Sequence, residues 1–319
     1  MALLGIDLGG SKLALAVFSA DGSILYKETV PLQKRKGGAV GKLITGNVIK
    51  LLAWGEKEGN RINSIGISVP GISHVSTGTV WAPNIEGWDD YPLLKELQSV
   101  SGTIPVTIDS DRACYILGES WQGNARGCRD AIFLSVGTGI GAGILINGEI
   151  LRGNGDIAGC IGWMALQRPF DDKYKSCGCF EYYASGEGIT KLAKSFLNEQ
   201  HDYTGELRSK NIETIKSSDI FSAYDNGDPV AQDVIGLCVG FWGMAVANLV
   251  SLFNPEKIIL GGGVFGPAIK LLPAIREEAT KWAQPVGINQ MSLHISGLEG
   301  DAGVYGAGFL ALKKLSEIR

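Results

Sequence analysis

The chain has 319 residues, 45% of them hydrophobic, and carries 29 lysines and arginines against 33 acidic residues, a net charge of −4. That length exceeds a typical single domain and favours two lobes with separate cores, with one large α/β domain as the alternative, and core size limits stability in neither case. The balanced charge, with no basic stripe to follow a phosphate backbone, argues against a nucleic-acid partner. The residues before Asp7 lack a basic region, apolar stretch and cleavage site, so secretion is disfavoured. Six cysteines in that setting point to a reducing, cytoplasmic compartment, where thiols serve as core residues, metal ligands or redox groups and disulfides are not expected.

In chain order, residues 3–6 read as an apolar strand that meets Asp7 and the glycines Gly9 and Gly10. A second strand, 13–18, runs to a turn at Asp21 and Gly22, and a third covers 24–30. Helical periodicity over 40–54 puts Val40, Leu43, Ile44, Val48, Leu51 and Leu52 on one face. Residues 65–69 form a buried strand ending at Pro70 and Gly71. A short strand at 106–108 follows, after which Asp109 or Ser110 caps a helix that begins at Asp111 and turns Ala113, Ile116 and Leu117 inward.

The opening pattern then recurs. A strand at 131–136 meets Gly137, Thr138, Gly139 and Gly141, and a hairpin turns at Asn147 and Gly148. Such a duplication implies two similar lobes, each offering backbone amides at a tight turn, with a nucleotide gripped from both sides. Helices near 188–197 and 233–253 lead to a strand at 257–260 that ends in Gly261, Gly262 and Gly263. Residues 234–253 lack charge and are long enough to cross a bilayer. Asn248 and Ser251 inside the stretch, and a single flanking Lys257, favour a buried helix and no membrane contact. The polar stretch 198–218 reads as an insertion, and 303–312 as a closely packed helix.

A strand ending in Asp7 before Gly9, Gly10, Ser11 and Lys12 places a carboxylate, able to orient hydrated magnesium, beside backbone that can approach phosphate oxygens. A glycine pair after a strand is by itself more often only a turn. The second loop, with Thr138 between Gly137 and Gly139, makes a phosphate role the better account of both, and Gly261–Gly263 then lie against an adenine or ribose. Asp111, third after a buried strand and at a helix start, stands where α/β sites form. A carboxylate there can accept the proton of a hydroxyl attacking ATP. The competing account of Asp111 is a plain helix cap.

These segments resemble the ROK family, a group of sugar kinases and kinase-derived repressors in the actin and hexokinase-like superfamily. DLGGSK at 7–12 looks like its first phosphate loop; GISVPG at 66–71 and APN at 82–84 are similar to its sugar-side segments. LSVGTGIGAGILINGEILRG at 134–153 is similar to the second phosphate loop, NLVSLFNPEKIILGGGV at 248–264 to the adenosine segment, and GDAGVYGAG at 300–308 to the closing helix. The resemblance implies an α/β fold of two ribonuclease-H-like lobes around a hinged cleft. It puts an N-terminal lobe at 1–117, a C-terminal lobe at 118–302, and a last helix, 303–319, packed back on the first lobe. It also implies ATP and Mg2+ as cofactors, a hexose-like substrate phosphorylated on a primary hydroxyl, Asn84, Ser110, Asp111 and Glu181 as substrate contacts, and a homodimer. The family's repressors carry a DNA-binding segment ahead of the first loop, which begins here within ten residues of Met1, so a repressor is not expected.

Three departures bear on substrate. Ser110 replaces the asparagine before the base. The family's AGE-x-GHM segment reads Ala158, Gly159, Cys160, Ile161, Gly162, Trp163, Met164, so a sugar-binding glutamate and a zinc-binding histidine are missing. The cysteine cluster shrinks to Cys177 and Cys179 before Glu181, which makes Zn2+ doubtful, because tryptophan cannot ligate it: either Cys160, Cys177 and Cys179 hold a metal with a fourth ligand, or the CxC pair is two ordinary buried thiols. Glucose is therefore disfavoured against a deoxy, N-acylated or cyclitol-like compound, with Trp163 either stacking on a sugar face or filling core. A sugar or nucleotide sensor without turnover remains the alternative, and an ATPase or chaperone of the superfamily the third.

Overall fold

A computed structural model describes residues 1–318 and divides the chain into two compact units. The first comprises Met1–Gly127, Ile150–Ala158 and the chain from Ser296 onward; the second comprises Cys128–Glu149 and Gly159–Ile295. The first unit thus runs ten residues past the expected break at 117, takes in a short segment from the middle of the chain, and resumes at Ser296 rather than at 303. One reason for the first difference is local: the helix that starts at Asp111 continues to Gln122.

In the first unit, β1 (Ala2–Leu8), β2 (Lys12–Ser19) and β3 (Ile24–Pro31) form an antiparallel meander. The helix α1 (Gly38–Lys57) leads to β4 (Ile62–Val69), a small hairpin of β5 (Ile72–His74) and β6 (Thr79–Trp81), the helix α2 (Leu93–Ser101), β7 (Val106–Ser110) and α3 (Asp111–Gln122). The sheet order is β3-β2-β1-β4-β7, with β4 parallel to both β1 and β7. Central β1 is buried along almost its whole length and reads accordingly as a continuous apolar run, whereas edge strand β3 alternates. The face of α1 expected from its periodicity buries Val40, Ile44, Val48 and Leu51.

The second unit repeats the plan. Strands β8 (Ala131–Val136), β9 (Ile140–Ile146) and β10 (Glu149–Ile150) are followed by α4 (Cys179–Ala184), α5 (Gly186–Glu199), α6 (Ser217–Asp225), α7 (Pro229–Phe253), β11 (Lys257–Gly261), α8 (Leu272–Trp282), α9 (Pro285–Gln290) and β12 (Ser292–Ile295). The sheet order β10-β9-β8-β11-β12 places each strand where its counterpart stands in the first unit, again with an antiparallel β8–β9 hairpin and parallel β8, β11 and β12. The long α7 is apolar enough to cross a membrane, yet it is a core helix of this unit. Asp228 caps its start by accepting from the amide of Ala231 at 3.0 Å, and Trp242, fully buried, donates its indole N–H to the Ala184 carbonyl at 3.0 Å. The polar stretch 198–218 is tied into the same core by Leu207 and Ile215.

The last helix, α10 (Ala302–Ile318), lies on β1, β4 and α3 of the first unit. It approaches them backbone to backbone. A methyl on Gly5 would stand 2.6 Å from the Val304 carbonyl oxygen, one on Gly66 would overlap the Ala307 carbonyl, one on Gly118 that of Ala302, and one on Gly306 that of Cys114. Gly46, by contrast, faces open space on α1. Gly66→Ala should therefore cost about 1–3 kcal/mol or more in denaturant unfolding through overpacking, whereas Gly46→Ala should gain roughly 0.5–1 kcal/mol. Equal effects at the two positions would show that the close helix–sheet approach is not what the glycines serve.

Candidate active site

The polar residues of the first unit gather at one edge of its sheet. Asp7 on β1, Ser68 on β4 and Asp109 on β7 are in register across three parallel strands, at the carboxyl ends where α/β sites form. Ser68, fully buried, donates its hydroxyl to Asp7 Oδ1 at 2.5 Å. Burial pushes the Asp7 carboxyl above the ordinary range; the Ser68 bond and the Lys12 charge oppose that, and Asp301 adds to it. Oδ2 has no hydrogen-bond donor among the described residues. A methyl on Gly303 of α10 would stand 2.5 Å from that same oxygen, so the helix passes beside the carboxylate only because residue 303 has no side chain.

The first glycine loop is closed by the Gly9 amide donating to the Lys12 carbonyl at 2.9 Å, and Leu32 N–H donates to the Ser11 carbonyl at 2.9 Å. Asn84 brings its amide to within 3.5 Å of where a Gly10 methyl would be, so the APN segment and this loop adjoin. Neither Gly9 nor Gly10 is demanded by a tight internal contact.

Ser110 ends β7 and caps α3, its hydroxyl accepting from the Ala113 amide at 3.4 Å. Asp111 is the first residue of α3 and accepts from the Arg112 amide at 2.8 Å. Burial is the main reason its carboxyl is pushed up to about 6; Arg112 pulls it down and the negative charge of Asp7 raises it. A plain helix cap fits Ser110 better than Asp111, whose carboxylate lies beyond the capping bond. Sequence reasoning weighed Asp109 only as a cap, but it is buried and held by both Nη atoms of Arg152, at 3.0 and 2.6 Å. Arg152 carried no signal of its own, because its partner stands 43 residues earlier.

In the second unit, Gly137 and Gly263 face open space, so nothing internal explains their missing side chains. Gly261 and Gly262 differ. A methyl on Gly261 would overlap the Phe133 ring and one on Gly262, at φ 90°, the Val136 backbone, so these two have a packing reason independent of any nucleotide. Gly137 O accepts from the Gly186 amide at 2.8 Å, anchoring the second loop, with its Thr138, to the start of α5.

Glu181 on α4 accepts from the Ile140 amide at 2.6 Å and stands 2.8 Å from where a Gly139 methyl would be. One carboxylate oxygen is thus engaged by the second loop; burial raises its pKa and the Ile140 amide opposes that. Trp163 is 57% exposed, which rules out the core-packing account of this ring, and Cys160 beside it is half-buried. Cys179 is buried in the core, Cys177 is half-buried, and all six cysteines are thiols. Among the described residues no group of three or more His, Cys, Asp or Glu side chains is arranged to hold a metal ion, so Cys177 and Cys179 do not meet a third zinc donor.

The position of Asp111 has a consequence for stability. With a folded-state pKa near 6 against an ordinary 3.8, its protonated form favours the folded state, a contribution complete below about pH 3.8 and lost as the pH rises through about 6. Asp111→Asn should raise unfolding free energy at pH 8 by on the order of 1–2 kcal/mol, a gap that closes at pH 4. Parallel pH–stability curves for the two proteins would contradict this assignment.

A sequence profile described as the ROK family matches residues 3–314. The chain is 34% identical over 315 residues to a glucokinase of Halalkalibacterium halodurans, covering 96% of this chain and 94% of that one. It is 30% identical to a xylose repressor of Caldicellulosiruptor bescii, covering 95% of this chain and 76% of that one. Among solved structures, a ROK family glucokinase from Streptomyces griseus, in complex with glucose and AMPPNP, superimposes with a TM-score of 0.76 at 29% identity over 98% of this chain and 100% of the other. With a profile match across nearly its whole length and the duplicated sheet plan beneath it, this chain belongs to the ROK family.

Proposed function

We propose that the chain is an ATP-dependent sugar kinase in which Asp111 is the general base and the acceptor is a primary hydroxyl of a hexose-like compound other than glucose. The observation that carries the reading is the Asp111 carboxyl itself, at a helix start on the polar edge of the sheet, with a pKa near 6. At neutral pH it is ionised, yet basic enough to take a proton as an acceptor oxygen attacks the γ-phosphorus and ADP leaves. Asn84 and Ser110 orient the acceptor ring in this unit; Gly10 and Ser11 contribute amides and Lys12 a cation for phosphate oxygens, while Gly9, its amide given to the Lys12 carbonyl, shapes the loop. Gly137, Thr138, Gly139 and Gly263 are assigned to the nucleotide, and Glu181 and Trp163 to the sugar, by their places in the family's motifs. Mg2+, when bound, would neutralise charge on the phosphate oxygens, and Asp7, with Oδ2 not engaged by Ser68, is the residue suited to orient it.

Substrate class follows from Cys160 and Trp163. Loss of a carboxylate and an imidazole removes partners for ring hydroxyls, while an exposed indole adds a flat apolar surface. That favours a deoxy, N-acylated or cyclitol-like ring, although the 34%-identical relative is named a glucokinase. A second reading, a sensor that binds the sugar without turnover, draws support from the 30%-identical xylose repressor.

ADP release with Mg2+ and ATP should appear on one compound class in a panel of hexoses, amino, N-acyl and deoxy sugars and cyclitols. Asp111→Asn should lower kcat by about 10²–10⁴ with ATP binding retained, and kcat/KM should fall below about pH 6. ATP binding without turnover on any compound would favour the sensor, and glucose as the best substrate would overturn the reading of Cys160 and Trp163.

A further inference from the structure

The ion pair of buried Asp109 with partly exposed Arg152 has no role in the chemistry set out above, yet it adjoins the base. Asp109 stands two residues before Asp111, and its side chain is 3% exposed. All its visible bonds organise the junction of β7 and α3: Oδ1 accepts from the Ser110 amide at 2.8 Å and from Arg152 Nη1 at 3.0 Å, and Oδ2 from Arg152 Nη2 at 2.6 Å. A guanidinium fork fixes a carboxylate in plane and direction, which a lysine ammonium does not do. Ser110, held in this way, in turn caps the helix that begins with Asp111.

Arg152 is itself held in place. Its carbonyl accepts from the Ala158 amide at 2.9 Å, closing a tight turn in which Gly155 and the non-glycine Asp156 are both left-handed, at φ 68° and 62°. Asp156 pins that turn by accepting from the Val75 amide at 3.2 Å. The same segment continues in sequence into Ala158, Gly159 and Cys160, the stretch where the substrate-side substitutions lie.

We propose that Arg152 is a positioning residue for the phosphoryl-transfer reaction: through its two bonds to Asp109 it sets the β7–α3 junction and thereby the direction in which the Asp111 carboxylate faces the acceptor hydroxyl. This inference rests on reading the chain as a sugar kinase with Asp111 as base. Arg152→Ala should lower kcat about 10–100-fold, the scale of a small misplacement of a reacting group, while the KM for ATP stays unchanged. Added guanidinium should restore part of the loss in Arg152→Ala, and Arg152→Lys should restore little. Amide hydrogen exchange at Ser110 and Ala113 should quicken in Arg152→Ala, a readout that needs no turnover. Unchanged kcat in Arg152→Ala, or a loss that tracks melting temperature and is not rescued by guanidinium, would overturn the role of Arg152 while leaving the kinase reading intact. Absence of turnover in the unmodified chain on every sugar of the panel would instead overturn the kinase reading, and this inference with it.

Discussion

Most of the first unit depends on one contact, the backbone-to-backbone approach of α10 to β1, β4 and α3. Three glycines in the sheet and α3, Gly5, Gly66 and Gly118, and Gly306 in α10 itself, remove the side chains that would hold these elements apart. Each helix glycine costs about 1 kcal/mol in propensity, so the arrangement persists because close packing over several elements offsets that cost. The same approach brings Gly303 beside the Asp7 carboxylate, and the seat of that side chain is set by a helix nearly 300 residues later in the chain.

That edge of the sheet also has to accommodate three carboxylates, and it does so in three ways. Asp109 is paired with a guanidinium, Asp7 takes a hydroxyl from Ser68 with Lys12 nearby in charge, and Asp111 relies on a backbone amide and the helix start. At Asp111 burial and the like charge of Asp7 outweigh the Arg112 charge and amide, and the carboxyl is pushed up to about 6, a value suited to proton transfer; burial raises the Asp7 carboxyl as well. Three strand ends in register thus set Asp7, Ser68 and Asp109 side by side, with Asp111 at the helix start just beyond them.

Glycine motifs that look alike in sequence divide once their neighbours are known. Gly261 and Gly262 are needed by Phe133 and Val136, whereas Gly137 and Gly263 face open space. A phosphate or nucleoside role is therefore better founded for the second pair. Glu181 shows the reverse: its place in the motif suggests a sugar contact, and one of its oxygens serves the Ile140 amide of the neighbouring loop.

Local pattern was enough for the strands at 131–136 and 257–260, for the apolar face of α1, for the duplication that became two matching sheets, and for placing Asp7 late in a strand and Asp111 at a helix start. Periodicity, turn residues and strand-end position are short-range properties, and a sequence displays them directly. The hairpin of β5 and β6, helix α2 and strand β12 were not legible, being short and shaped by neighbours rather than by a repeat of their own. The exposure of Trp163, the packing role of Gly261 and Gly262, the Arg152–Asp109 fork and the return of residues 150–158 to the first unit were decided only by tertiary structure. Each depends on which distant residues the sheet order and α10 bring within a few ångströms, and no spacing along the chain encodes that distance.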